Sequence, residues 1–387
     1  MPKPSNFGIM DIIAGIAITI GIGYGVAIYI GYGIHATIAL SSLFTLMYIK
    51  APARSFPTGE DITHGINLNG KVALVTGGTS GIGVDTCRIL ALRGAHVYIV
   101  ARNMKKLEET KRDIETALRN ESKNVVVGKI SIIQCDLNDL QSVQYCAKTY
   151  LKTESKLDIL INNAGIMAVP TRQATKQGNL EQQMGICHVG HFYLTELLLP
   201  ALEKAATASS QTNSPSRIIC LSSTAHRYHQ MEECLKKSND NKLDTIPYDP
   251  WVAYGNAKVA NLLHAKVLHD KFVATKKNIV TYSVMPGGIN TGLQQYVTYW
   301  TLLKFAIVSP FFFKTTNQGS ATTLACATAD TSTSLTDSSI IKSGEYHDNC
   351  KVNLNALQKV LNEIGEDAPE RLYDRTKQIL KNLGYSI

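Results

Sequence analysis

The stretch Val72 to Gly83, VALVTGGTSGIG, constrains what this chain can fold into more than any other. A β-branched apolar run ends in Thr76-Gly77-Gly78-Thr79-Ser80-Gly81-Ile82-Gly83 and passes directly into CRILALRG, whose apolar residues recur at helical spacing. This order predicts a strand, a glycine turn and a helix. Gly77 lets the backbone leave the strand sharply, Gly81 admits a ligand against the main chain where a Cβ would otherwise stand, and Gly83 lets the helix pack closely on the sheet. The ligand that suits such a turn is an anion such as a pyrophosphate, because a helix N-terminus offers free N–H groups and the positive end of the dipole.

Strand and helix patterns then alternate along most of the chain, which argues for βαβ units and a parallel sheet. Strands are expected at Val72 to Thr76, His96 to Ala101, Ile130 to Cys135, Ile159 to Asn162, Arg217 to Ser222 and Val280 to Met285. Loops are expected at Ser209 to Ser216 and at Ala225 to Pro250. A final helix is expected over Ala368 to Leu383, capped by Asp367, with Pro369 in its first turn and Gly384 ending it. The fold class is therefore α/β, a doubly wound parallel sheet of Rossmann type.

Ahead of this pattern, Ile12 to Ile49 contains no Asp, Glu, Lys or Arg. A helix crosses a bilayer core with about 20 apolar residues, so this run reads as a membrane segment, either two short helices turning near Gly31-Tyr32-Gly33 or one tilted span. Residues 1–10 are then a tail, 11–50 the membrane segment and 51–65, with Pro52, Pro57 and Gly59, a linker. The formal charge of +8 is spread over amphipathic segments such as KKLEETKRDIE without interleaved aromatics, which argues against nucleic-acid binding. The 8 cysteines show neither CxxC nor a ligand spacing with histidine, and read as free thiols.

Further stretches follow in the order that a dinucleotide enzyme needs. After the second strand, Ala101-Arg102 stands where an NAD site carries an acid for the ribose 2′-hydroxyl. A guanidinium suits a 2′-phosphate instead, so NADP(H) is the expected cofactor. Asp136-Leu137 follows the third strand at the edge where such sheets bind ligands, Asp136 being placed for an adenine amino group. Asn162, Asn163, Ala164 and Gly165 end the fourth strand with small or amide-bearing residues suited to lie against a ribose. Ser222 and Ser223 end the fifth. Tyr254 and Lys258 lie four apart on one helical face. That spacing has a chemical use: a tyrosine titrates at about 10, and bringing it near neutrality takes about 3 units, roughly 4 kcal/mol. A neighbouring ammonium and a cationic nicotinamide both favour the phenolate. Tyr254 can then exchange a proton with an alcohol or carbonyl oxygen, and Ser223 can hold the same oxygen.

With these motifs in place, TGGTSGIG, NNAG, the serine pair, YGNAK and MPGGINTG, the chain resembles the short-chain dehydrogenases/reductases over roughly Ile66 to Cys350. VGHFYLTELLLP, YGNAKVAN and SGEYHDNCK are similar to the retinol dehydrogenase branch and its membrane-anchored relatives, including polyprenol dehydrogenases. The resemblance implies an NADP-binding domain at 66–350, followed by a helical extension at 351–387. It implies catalytic roles for Tyr254, Lys258 and Ser223, and a cofactor site of Gly77, Thr79, Ser80, Gly81, Ile82, Gly83, Arg102, Asp136, Leu137, Asn163, Ala164, Gly165, Tyr254 and Lys258. Pro286, Gly287 and Thr291 would line the nicotinamide end.

Cys187 stands where those relatives carry an asparagine that helps hold a water of the proton relay. After Thr291 the chain runs LQQYVTYWTLLKFAIVSPFFFK, read as an apolar lid over the substrate or as a helix packed on the domain or a partner. The expected activity is that of a membrane-anchored oxidoreductase on a retinoid, polyprenoid, steroid or fatty alcohol/carbonyl pair, in the endoplasmic reticulum rather than a mitochondrial membrane. The alternative is a catalytically weak, dehydrogenase-like subunit of a membrane complex or homo-oligomer.

Overall fold

The computed structural model describes residues 56–121, 126–208, 214–236, 243, 247–289, 314–329 and 341–386. The chain forms two units. The first, Met1–Pro57 with Thr298–Lys314, contributes only Phe56, Pro57 and Lys314 to the described residues, with the Lys314 ammonium 4.5 Å from the centre of the Phe56 ring. The expected tail, the membrane segment and the apolar run after Thr291 lie outside the described residues. Among the described residues no helix is long and apolar enough to cross a membrane.

The second unit, Thr58–Val297 with Thr315–Ile387, is built on an eight-stranded sheet. Its strands are β1 (Val72–Thr76), β2 (His96–Ala101), β3 (Ile130–Gln134), β4 (Ile159–Asn162), β5 (Ser216–Leu221), β6 (Ile279–Met285), β7 (Tyr346–Asp348) and β8 (Lys351–Val352). The order is β3-β2-β1-β4-β5-β6-β7-β8, parallel throughout except for the β7–β8 pair. The chain starts in the middle, winds outward to β3, then returns past β1 to build the other half. The reversal of direction lies between β1 and β4, where doubly wound sheets bind ligands at the strands' C-terminal ends.

The helices are α1 (Gly59–Ile62), α2 (Ile82–Leu92), α3 (Met104–Glu121), α4 (Leu140–Thr153), α5 (Gly190–Ala208), α6 (Met231–Lys236), α7 (Pro250–Ala274), α8 (Thr316–Thr328), α9 (Leu354–Ile364) and α10 (Ala368–Asn382). Alternation along the strands supplies two cores. Val72 and Leu74 of β1 join a cluster with α4, α5, α7, α9 and α10, whereas Ala73 and Val75 join one with α2, α3 and α8. Both faces are covered, which is why β1 reads as a continuous apolar run.

Several local expectations change. The linker gives way at Thr58 to α1, where Thr58 and Asp61 form a capping box, the Gly59 N–H donates to Asn317 Oδ1 at 2.8 Å, and Glu60 pairs with Arg88. The expected loop from Ala225 to Pro250 contains a 3₁₀ turn, Thr224–Tyr228, and then α6. Strands β7 and β8 were not expected. Asp367 precedes α10, but its side chain makes no capping bond; it pairs with Arg371 Nε at 3.1 Å instead. The 351–387 segment opens with β8 and carries α9 and α10, whose Leu357, Val360, Leu372 and Ile379 belong to the main core.

Candidate active site

The glycine turn leaves β1 as the spacing demands. Gly77 has φ +67°, its N–H donates to Val100 O at 2.8 Å, and a Cβ there would stand 2.8 Å from Ala164 Cα. A Cβ on Gly83 would overlap Gly77 O. Gly81, at φ +55° and ψ −135°, precedes α2, and no side chain caps that helix. Thr79 is half-buried and Ser80 exposed beside Ile82. An N-terminus without a side-chain cap, behind a turn that only glycine can follow, fits a dinucleotide pyrophosphate: the Gly83 and Val84 N–H groups make only long bonds back to Ser80 O and Gly81 O, at 3.2 and 3.3 Å, and the dipole's positive end faces the turn.

The end of β4 closes on this turn. The Asn163 and Ala164 N–H groups donate to Thr76 Oγ1 at 2.9 and 3.0 Å, and Asn163 Nδ2 donates to Thr76 O and Gly77 O at 2.7 and 3.3 Å. The amide donors expected to face a ribose thus brace the turn, because strand-end carbonyls leaving the sheet need partners. Asn162 is buried and donates from Nδ2 to Thr195 Oγ1 at 2.9 Å, so it too faces the core.

The outer half of the site is more exposed. Arg102 is exposed just past β2, and its carbonyl accepts from Gln134 Nε2 at 3.0 Å. Asp136 Oδ1 accepts from the Asn138 N–H at 3.1 Å, and its other oxygen lies 3.8 Å from Lys176 Nζ, while Leu137 is buried. Pro286 and Gly287 follow β6, Gly287 at φ +109°; Thr291 lies outside the described residues.

At the end of β5 the two serines separate. Ser222 is buried and its hydroxyl donates to Lys258 O at 2.7 Å, which makes it a brace for α7. Ser223 has extended backbone, accepts from the Ala225 N–H at 3.2 Å, and stands close enough to the Tyr254 hydroxyl to bear on its ionisation. Helix α7 starts at the cap Asp249, whose carboxylate accepts from the Trp251 and Val252 N–H groups, each at 2.8 Å, with Pro250 in the first turn. One turn in stands Tyr254, and a turn later Lys258, both buried. Lys258 Nζ lies 5.4 Å from the Tyr254 ring centre and donates to Leu221 O at 3.1 Å, which also accepts from Asn261 Nδ2 at 2.8 Å.

The electrostatics of the pair act in opposing senses. Burial pushes the Tyr254 phenol above its ordinary value; Lys258 opposes this, the nearby Cys187 adds to it, and the Ser223 hydroxyl opposes it. Without the nicotinamide, the chain's own groups favour the protonated phenol. Cys187 lies in a π-helical turn, Gly185–Val189, that runs into α5. It is fully buried, burial raises its thiol, and its Sγ is 3.6 Å from Ile166 O. A Cβ on Gly165 would lie 3.4 Å from Cys187 Sγ and 3.7 Å from Lys258 Nζ, so these three residues pack together. Three participants went unnoticed in the sequence: Asn261, Thr76 through its hydroxyl, and His191. His191 sits inside a quoted motif, but no periodicity marks its contacts.

The short chain dehydrogenase family model matches residues 71–235. Mouse retinol dehydrogenase 12 is 35% identical over 320 residues, covering 81% of this chain and 89% of that protein. Human retinol dehydrogenase 11 is 35% identical over 87% of this chain and 94% of its own length. The chloroplastic short-chain dehydrogenase TIC 32 B of Brassica napus is 38% identical over 70% of this chain and 79% of its own. Among solved structures, an uncharacterised protein of Mycobacterium paratuberculosis superposes with a TM-score of 0.57 at 25% identity, covering 84% of this chain and 98% of its own. The Pseudomonas aeruginosa RhlG/NADP complex does so at 0.53 and 22%, over 72% and 94%, a likeness of fold. Glycine turn, buried tyrosine–lysine pair and long relatives agree: this chain belongs to the short-chain dehydrogenase/reductase family, as a retinol dehydrogenase-like oxidoreductase with a site for a nicotinamide cofactor.

Proposed function

We propose that this protein is a membrane-anchored, NADP(H)-dependent oxidoreductase interconverting a lipophilic alcohol and its aldehyde or ketone, of retinoid, polyprenoid, steroid or fatty type. The observation that carries the reading is the convergence of Ser223, Tyr254 and Lys258 at the end of β5, across from the uncapped N-terminus of α2. When bound, the nicotinamide supplies or accepts the hydride. Tyr254, kept protonated by burial, gives its proton to a carbonyl oxygen in the reductive direction, and Ser223 holds that oxygen. Lys258, held by Leu221 O, offsets part of the cost of the phenolate left behind. The exposed Arg102 after β2, with no acid at that strand end, favours a 2′-phosphate and hence NADP(H). The charge-free run from Ile12 to Ile49 is the support for an anchor, and the endoplasmic reticulum is the proposed membrane.

The test is NADPH binding and oxidation by detergent-solubilised protein offered all-trans-retinal and long-chain aldehydes. Wild-type turnover is expected, with Tyr254→Phe losing roughly 10²–10⁴-fold in kcat while still binding NADPH. NADPH binding without oxidation of any panel member would sink the reading. One observation favours a second: Cys187, a buried thiol and so a weak hydrogen-bonding group, stands beside Lys258. In that reading the fold and a bound nucleotide serve as a subunit of a membrane complex or homo-oligomer. A monodisperse monomer with ordinary turnover would exclude it.

A further inference from the structure

We infer that His191 is a positioning residue that ties the glycine turn to the Cys187 turn, and so sets the distance between the nucleotide site and the tyrosine–lysine pair. The inference rests on the proposed oxidoreductase reading for its effect on turnover, and on the geometry alone for the link itself. His191, in the first turn of α5, is buried, with only 2% of its surface exposed. Its Nδ1 lies 3.0 Å from Cys187 O and its Nε2 lies 2.8 Å from Thr76 Oγ1.

These contacts set the tautomer of the ring. Cys187 O can only accept, so Nδ1 carries the hydrogen and Nε2 presents a lone pair. Thr76 Oγ1 therefore donates to Nε2 at 2.8 Å, in preference to Ile161 O, which lies farther off at 3.4 Å. The same oxygen accepts from the Asn163 and Ala164 N–H groups, so all its capacity is used. A continuous run of hydrogen bonds extends from the end of β4, through Thr76 at the end of β1, across the imidazole to the carbonyl of Cys187. Burial and the neighbouring Lys258 hold the ring's pKa down at about 4, opposed by the bond to Cys187 O, so the imidazole stays neutral and keeps this tautomer at neutral pH.

The far end of the run has a structural need. Gly185–Val189 is π-helical, with the Gly190 N–H reaching back to Gly185 O, and such a widened turn shifts carbonyls out of their usual i+4 partnership. His191 brings a side-chain donor to Cys187 O there. The Cys187 turn in turn packs on Gly165 and, through it, on Lys258 Nζ. At the near end, Ala164 Cα is what a Cβ on Gly77 would strike. One imidazole thus sits between the residue that shapes the pyrophosphate turn and the residue packed beside the catalytic ammonium.

The test uses the full-length protein in detergent, with NADPH as probe and decanal and all-trans-retinal as substrates. His191→Phe keeps the ring shape and removes both bonds. It is expected to weaken NADPH binding, read by nucleotide fluorescence, and to lower kcat, each by about tenfold, as loss of one buried hydrogen bond implies. His191→Asn places an amide N–H near the Nδ1 position; it should recover kcat while NADPH binding stays weak, a split that general loosening would not give. Thr76→Val should weaken NADPH binding without lowering kcat, and Thr76→Val with His191→Phe should lose less in that binding than the product of the two single losses, because the shared bond is counted once even though Thr76→Val also strips the Asn163 and Ala164 N–H groups of their acceptor. The inference is overturned if His191→Phe binds NADPH as the wild type does, if the two losses multiply, or if Asn recovers nothing. Failure of the oxidoreductase reading looks different: the wild type itself then turns over neither substrate. In that event the urea midpoints of the same four proteins still decide the link, non-additive losses supporting it and additive ones overturning it.

Discussion

Gly83 and Gly165 belong to the same expected cofactor site, yet the structure asks different things of them. A Cβ on Gly83 would meet the backbone carbonyl of Gly77, which cannot move without opening the turn, whereas one on Gly165 would sit in ordinary contact with Cys187 Sγ. Gly165 also has no left-handed backbone to lose. Gly83→Ala is expected to cost about 1–3 kcal/mol by overpacking and to abolish NADPH binding. Gly165→Ala is expected to be neutral or stabilising by up to about 1 kcal/mol through the unfolded chain. Urea unfolding of both variants checks this, and equal losses would refute the distinction. Tyr254, Lys258 and Ser223 were legible in the sequence because their chemistry needs a fixed helical spacing and a strand end. The ionisation of Tyr254 was not, since it depends on how deeply α7 is buried and on the approach of Cys187 from another element.

Helix α7 is the element that delivers the tyrosine. It is buried on nearly every side, against β5, β6 and α10, so its sequence shows little amphipathic pattern and its position is set by packing. Its start is local: Asp249 accepts from two first-turn N–H groups, and Tyr254 stands one turn beyond. Asp249→Ala should cost about 1 kcal/mol in the urea midpoint and lower kcat by fraying the turn that carries Trp251 and Tyr254. A stability loss without a kcat change would show that the tyrosine is held by packing alone. Strands β1, β2 and β4 have the bounds that their apolar runs suggest, because a strand covered on both faces is a continuous hydrophobic word. Strands β7 and β8, of three and two residues, carry no such word. They exist because β6 offers a free edge, pairing Ser283 with Tyr346. Helix α1 was hidden for a related reason: its four residues are held by Asn317 and Arg88, far along the chain.

At the scale of the whole molecule, the burial of several histidines makes stability depend on pH. Burial holds His188 down at about 3 and His191 and His347 at about 4, and pushes His264 well below its ordinary value. In the unfolded chain each titrates near about 6.5. Below that pH the unfolded state binds more protons than the folded one, so stability is full above about 6.5 and falls as pH drops, by about 1.4 kcal/mol per pH unit for each unmatched histidine. Glu181 and Glu196, raised by burial, act in the opposite sense but are fewer. The urea midpoint should therefore be clearly lower at pH 5 than at pH 7; an equal or higher midpoint at pH 5 would contradict the burial of these rings. The sequence by itself determined what depends on neighbours along the chain: the glycine turn, the apolar strands, the tyrosine–lysine spacing and the membership of an α/β class. Only the tertiary structure decided what depends on distant segments meeting. It gave Asn163 and Ser222 bracing hydrogen bonds, folded α9 and α10 into the main core, and placed His191 between Thr76 and Cys187. The physical reason is that a buried polar group takes whichever partner packing brings to it, and that partner is not written at any fixed spacing.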